Sequence, residues 1–141
     1  MPELPEVENA RRCLLQAGLP GRTFTGANIG WANTVKKPGL EDFVLGLRGS
    51  RVQAAHRRGK YILLPLDGGD GPTPRTLILH LGMSGGLFVQ PKSQTEPPMV
   101  RHSFPLDDGR ELRFVDGRKF GKLWLVDDPR EVLPPLSPDP L

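Results

Sequence analysis

Glycine and proline punctuate this chain so densely that no apolar run grows long: 17 glycines and 16 prolines are spread through 141 residues. Between them lie short stretches, apolar throughout or alternating, which is the pattern of strands bounded by turns. Strands are expected on that basis over residues 23–28, 51–56, 60–66, 76–81, 86–90, 101–106, 111–115 and 122–126. Asp108-Gly109, between two of them, is a tight-hairpin dipeptide. The count and spacing predict a mainly β domain, an antiparallel β-sandwich or flattened barrel. Two Pro/Gly-rich stretches, 67–74 and 91–98, read as loops.

Two segments keep a different period. Leu4, Val7, Ala10, Leu14 and Leu15 recur at helical spacing, with Glu3, Glu6 and Glu8 early and Arg11 and Arg12 later, as the helix dipole favours. Pro5 suits the first turn and Gly18 the exit. An N-terminal α-helix follows, with the extreme N-terminus of the chain at its positive end. Leu40, Phe43, Val44 and Leu47, introduced by Pro38-Gly39, mark a second short helix.

The length fits one domain, and 37% hydrophobic with 25% charged residues is the composition of an ordinary globular core and surface. Nineteen Lys and Arg against 16 Asp and Glu leave a net charge of +3, which permits a polyanionic partner without demanding one. Cys13 is the only cysteine, so neither a disulfide framework nor a zinc site of paired cysteines is expected here, and a reducing, cytoplasmic setting is the default. No basic-then-apolar leader opens the sequence, and no apolar stretch has membrane-spanning length. The tail turns proline-rich after Pro129. Residues 133–141 read as a linker behind a domain at 1–132, and a linker there points to a second domain beyond it.

Several residues carry chemistry. Removal of Met1 would make Pro2 a terminal secondary amine; such α-amino groups have a pKa of about 7.7–8.0, so a neutral, nucleophilic fraction exists near pH 7. With Met1 kept the same nitrogen is an inert amide, and Pro2 and Pro5 merely start a helix. Lys60 opens an apolar strand, as a solvated charge or as a group aimed from a rigid element. Met83 falls in a Gly-rich turn, where it folds back on the core or meets a partner. Phe120 lies in a turn among the cations Arg118, Lys119 and Lys122, residues suited to a phosphate backbone. Three readings stay open at this point: an enzyme acting on DNA, a tautomerase-like enzyme using Pro2 as a base on a small keto acid, and a binding module that retains Met1.

Four motifs narrow the choice. Pro2-Glu3-Leu4-Pro5-Glu6-Val7-Glu8, Arg57-Arg58-Gly59-Lys60-Tyr61, His80-Leu81-Gly82-Met83-Ser84-Gly85 and Asp116-Gly117-Arg118-Lys119-Phe120-Gly121 occur in an order and spacing that resembles the formamidopyrimidine-DNA glycosylase family. The endonuclease VIII branch fits less well, because its usual opening differs and it lacks the His-Leu-Gly-Met-Ser-Gly run. The resemblance implies base-excision repair of damaged double-stranded DNA by a bifunctional glycosylase/AP lyase that removes oxidised or ring-opened purines. It implies Pro2 as the nucleophile at C1′, Glu3 as the acid at the sugar ring oxygen, Glu6 as a further lining residue, and Lys60 as a second proton donor that contacts phosphate. Met83, Arg118 and Phe120 resemble wedges that fill the gap left by an everted base, and Lys119 adds positive charge beside them.

Two departures stand out. Gly117 replaces the proline of most relatives, and Met99, Arg101 and His102 stand where many carry a His-x-His pair. Arg101 occupies the second histidine's place and His102 follows one position late; both are candidate DNA contacts. The resemblance implies no cofactor in this chain. It places zinc, with a helix-two-turn-helix unit, in a C-terminal domain, so that residues 1–141 alone are expected to act weakly. The expected partner is DNA, in a bacterial-type nucleoid, with no membrane association and a monomeric chain.

Overall fold

Alternation along one strand shows how the two sheets face each other. The computed structural model describes residues 4–30, 32–37, 39–68, 75–81, 86–95, 100–116 and 121–132. In it Ile62, Leu64 and Leu66 are buried in the core, while Tyr61, Leu63 and Pro65 lie half-buried on the opposite face. The elements run α1 (Leu4–Gln16), β1 (Asn28–Ile29), β2 (Val35–Lys37), α2 (Leu40–Leu47), β3 (Ser50–Val52), β4 (His56–Arg58), β5 (Tyr61–Gly68), β6 (Arg75–His80), β7 (Gly86–Pro91), β8 (Val100–Pro105), β9 (Arg110–Val115) and β10 (Lys122–Val126).

One sheet has the order β1-β8-β9-β7. The other is β2-β10-β6-β5-β3, with β4 paired to the opposite half of β5 from β3. These sheets form a sandwich and not a closed barrel. Leu77, Leu79, Leu123 and Leu125 from the larger sheet and Leu87, Phe104, Leu112 and Phe114 from the smaller fill one buried cluster. Helix α1 packs across β7 of the smaller sheet and β4 and β5 of the larger, contributing Val7 and Leu14, and α2 lies on β2 and β10. Among the described residues no helix is long and apolar enough to cross a membrane.

The mainly β class, the two helices and the Asp108-Gly109 hairpin agree with the sequence reading, Gly109 taking the positive φ of 85° that the turn requires. Four details differ. The expected strand 51–56 is broken: β3 ends at Val52, β4 begins at His56, and one extra residue intervenes between their registers on β5. That bulge inverts the parity of the side chains. Arg57 therefore faces the core side beside Ile62, and His56 faces solvent. The expected strand 23–28 reduces to two isolated bridges, Thr23 to Arg51 and Phe24 to Leu106, and the two-residue β1. Strand β2 was not expected, and it pairs in parallel with β10 in a fold expected to be antiparallel. A short 3-10 turn, Pro129–Glu131, occupies the start of the proline-rich tail.

Candidate active site

Strand register brings the sequence motifs to one end of the sandwich. Across the larger sheet, Arg58, Tyr61, His80 and Lys122 form one cross-strand row, so β4, β5, β6 and β10 all end or begin there. In the smaller sheet Gly86, Val115 and Val100 form the corresponding row. The two rows are joined where the Gly121 N–H donates to Asp116 Oδ2 at 2.7 Å, tying the end of β9 to the approach to β10. Residues 57–61, 80–81, 116 and 121 thus share one rim, although the sequence separates them by up to half its length.

Lys60 sits in the turn between β4 and β5, half-buried, after Gly59, whose φ of 57° allows the chain to reverse there. Behind it the Tyr61 ring meets His80 edge-on at 5.1 Å and lies 5.9 Å from Trp124. The His80 imidazole is held below the usual histidine range, first by burial and then by the Lys122 and Lys60 ammonium groups. Burial and the two neighbouring ammonium groups thus both favour the uncharged form of the ring.

Helix α1 is fastened to this rim by one carboxylate. Glu8 accepts from Arg11 (2.9 and 2.6 Å), Arg12 (3.1 Å) and, across the interface, Arg57 of β4 (3.1 Å). Its pKa is lowered from 4.5 to about 2; the Arg11 hydrogen bond is the largest cause, burial opposes it, and Arg12 and Arg57 add to it. The first turns of α1 therefore stand against the β4–β5 turn.

Known proteins resemble this chain in sequence and in overall fold. The family model for the formamidopyrimidine-DNA glycosylase N-terminal domain covers residues 1–123. The chain belongs to the formamidopyrimidine-DNA glycosylase family. The formamidopyrimidine-DNA glycosylase of Protochlamydia amoebophila is 38% identical over 141 residues, covering 100% of this chain and 49% of that protein. A Lactococcus lactis Fpg (MutM) in complex with DNA containing N7-benzyl-Fapy-dG superposes with a TM-score of 0.76 at 30% identity, over 89% of this chain and 44% of that one. The Lactococcus lactis Fpg complexed with abasic-site DNA gives a TM-score of 0.79 at 27% identity, over 93% and 45%. This chain spans about half the length of the glycosylases it matches.

Of the residues that the glycosylase resemblance singled out, Lys60 lies on the shared rim and Glu6 is exposed in the first turn of α1. Pro2, Glu3, Met83, Arg118, Lys119 and Phe120 fall outside the described residues; Pro2 precedes Leu4, the first described residue of α1, by two positions, and Arg118 to Phe120 fall between Asp116 and Gly121. Arg101 lies in β8 at an irregularity of register between Val100 and His102. His102 is 1% exposed, its ring is edge-on to Phe114 at 5.5 Å, and it pairs in register with Phe114 on the core side of β8, which does not display it as the sequence reading expected.

His80, Asp116 and the Glu8–Arg57 pair went unselected from sequence. All lie within the quoted motifs, but only strand register and the bulge show what they touch. Among the described residues no three His, Cys, Asp or Glu side chains gather, and the lone Cys13 is exposed on α1.

Proposed function

We propose that this chain supplies the nucleophile and the strand-opening residues of a bifunctional DNA glycosylase/AP lyase acting on oxidised or ring-opened purines in duplex DNA. The observation that carries the reading is the single rim on which the ends of three motifs meet, with the first turns of α1 fastened against it. A reaction at one deoxyribose needs a nucleophile, proton donors and a phosphate contact within reach of a single carbon.

The chemistry follows from the groups. With Met1 removed, the Pro2 amine lies just ahead of a helix whose positive end disfavours its protonation, which keeps more of it neutral and nucleophilic. Attack at C1′ displaces the damaged base. Protonation of the ring oxygen by Glu3 opens the sugar to a Schiff base, and elimination from that same intermediate breaks the strand. Lys60 donates a proton and holds the adjacent phosphate. Met83, Arg118 and Phe120 occupy the space left by the everted nucleotide, and Lys119 and Arg101 neutralise phosphate. The Lactococcus relatives crystallised with Fapy-dG and abasic-site DNA support this choice of substrate, and the bacterial relatives are consistent with a cytoplasmic setting.

Borohydride reduction of the chain mixed with an abasic-site duplex tests this, because such a duplex isolates imine formation from base removal. A covalent adduct mapped to Pro2, absent from a variant that retains Met1, is the expected result. Binding of the duplex without an adduct in either form would reduce this chain to a DNA-binding module.

A further inference from the structure

The bulge between β3 and β4 turns Arg57 inward, and its guanidinium there joins two elements at once. Nε donates to Glu8 Oε1 of α1 at 3.1 Å, and Nη1 donates to the carbonyl of Gly59 at 2.9 Å, closing the turn that carries Lys60. From the helix side, Arg11 holds Glu8 in a fork and also donates to the carbonyl of Ala55 at 3.3 Å. The carbonyls on either side of β4 are thus gripped by an assembly centred on one carboxylate. The side chains of Arg57 and Glu8 are 3% and 14% exposed.

A buried ion pair is a poor device for stability alone, since an apolar pair of similar volume often does as well or better. What it provides is direction. The planar guanidinium fixes two acceptors at a set angle, which neither a lysine nor an apolar contact can do.

We propose that Glu8 and Arg57 are positioning residues, a brace that sets the Lys60 turn at a fixed distance from the helix start that follows Pro2. The proposal rests on the glycosylase/lyase reading for its consequence, since a proton donor misplaced by about 1 Å costs on the order of 100-fold in rate. The low pKa of Glu8 keeps the brace ionised through any working pH.

The test uses the 141-residue chain and two variants, Glu8→Gln and Arg57→Lys, the second retaining the cation while losing the fork. Arg51→Ala is the control, because Arg51 pairs with Asp67 on an exposed edge at the far end of β5. Three quantities are measured: hydrogen exchange of the β4–β5 amides against those of β6, the affinity for an abasic-site duplex, and the maximal rate of borohydride trapping at saturating duplex.

Both variants should exchange their β4–β5 amides about tenfold or more faster with β6 unchanged, and trap about 10- to 100-fold more slowly with affinity within about twofold. Arg51→Ala should match the unaltered chain. A trapping rate that survives in both variants overturns the proposal, as does β4–β5 exchange that does not move. If the unaltered chain fails to trap, the Pro2 reading falls by itself. The exchange measurement needs no DNA and still upholds or overturns the brace.

Discussion

Gly121 has no room for even one methyl group. Its backbone is not in the left-handed region, so the constraint is space: a Cβ would collide with the Phe114 ring and come within 2.9 Å of the Asp116 carboxylate that accepts the Gly121 N–H. Phe114 is fully buried and Asp116 is 1% exposed, so neither can withdraw. Gly121→Ala should cost about 1–3 kcal/mol, the range for overpacking a core, read as a lower urea midpoint. Gly46 makes the useful contrast. A Cβ there meets the far end of the Arg75 side chain, which can swing, and Leu125 at 2.8 Å. Gly46 lies within α2, where alanine gains up to about 1 kcal/mol of helix propensity. Gly46→Ala should therefore stay within about 1 kcal/mol of the parent by the same measurement, and an equal loss in the two variants would show that side-chain mobility at Arg75 does not decide the outcome. Residue-scale reading of the sequence was good for what a group can do and poor for where it points. The chemistry open to Lys60 and His102 is plain in the sequence, but that His102 lies on the core side of β8 is not, because nothing local in Arg101-His102-Ser103 distinguishes the two faces of a strand with a register irregularity.

Elements were legible where their signal is local. Both helices follow from apolar spacing, and β5, β6, β9 and β10 from short apolar runs between turn residues. Strand β2 was invisible because Val35-Lys36-Lys37 has no alternation to find, and its pairing partner β10 lies at the other end of the chain. The bulge before β4 was equally hidden, and with it the tie between α1 and the larger sheet. That tie makes a pH prediction. Glu8 has its pKa lowered from 4.5 to about 2, so on acidification the unfolded chain takes up a proton before the folded one does. Its contribution to stability is complete above about pH 4.5, declines as pH falls, and is gone below about pH 2. Glu8→Gln should lower the urea midpoint at pH 7 and show a shallower decline between pH 4.5 and 2 than the parent. Parallel curves across that window would mean that the carboxylate is not held by its three arginines in solution.

At the scale of the whole molecule, the mainly β class was foreseeable, because the turn punctuation is a sequence property, but neither the rim nor the means of joining two sheets into one body was. Segment 21–25 does that joining. Phe24 N–H donates to the Ser50 carbonyl and the Phe24 carbonyl accepts from Gly49, on the larger-sheet side, while the Thr25 N–H reaches the Pro105 carbonyl and Asp107 N–H the Thr23 carbonyl on the smaller. Read as a strand in sequence, it is instead a stitch along the corner, and Phe24 is fully buried at its centre, edge-on to Phe104 at 5.9 Å. Truncation of a buried phenylalanine costs about 3–5 kcal/mol, a large share of the roughly 5–15 kcal/mol that holds a domain folded. Phe24→Ala should therefore remain folded only in mild conditions, and the test is whether the sheets still melt together. Trp124 fluorescence reports the larger sheet, and hydrogen exchange of the β9 amides reports the smaller. In the parent chain both should give one transition. If the stitch is the main coupling, Phe24→Ala separates them, the four-stranded sheet opening first because it has fewer strands and an edge of only two residues in β1. Coincident transitions in the variant would instead assign the coupling to the shared core and to α1, which spans both sheets, and the rim with its Asp116–Gly121 contact would then persist for as long as any of the fold does.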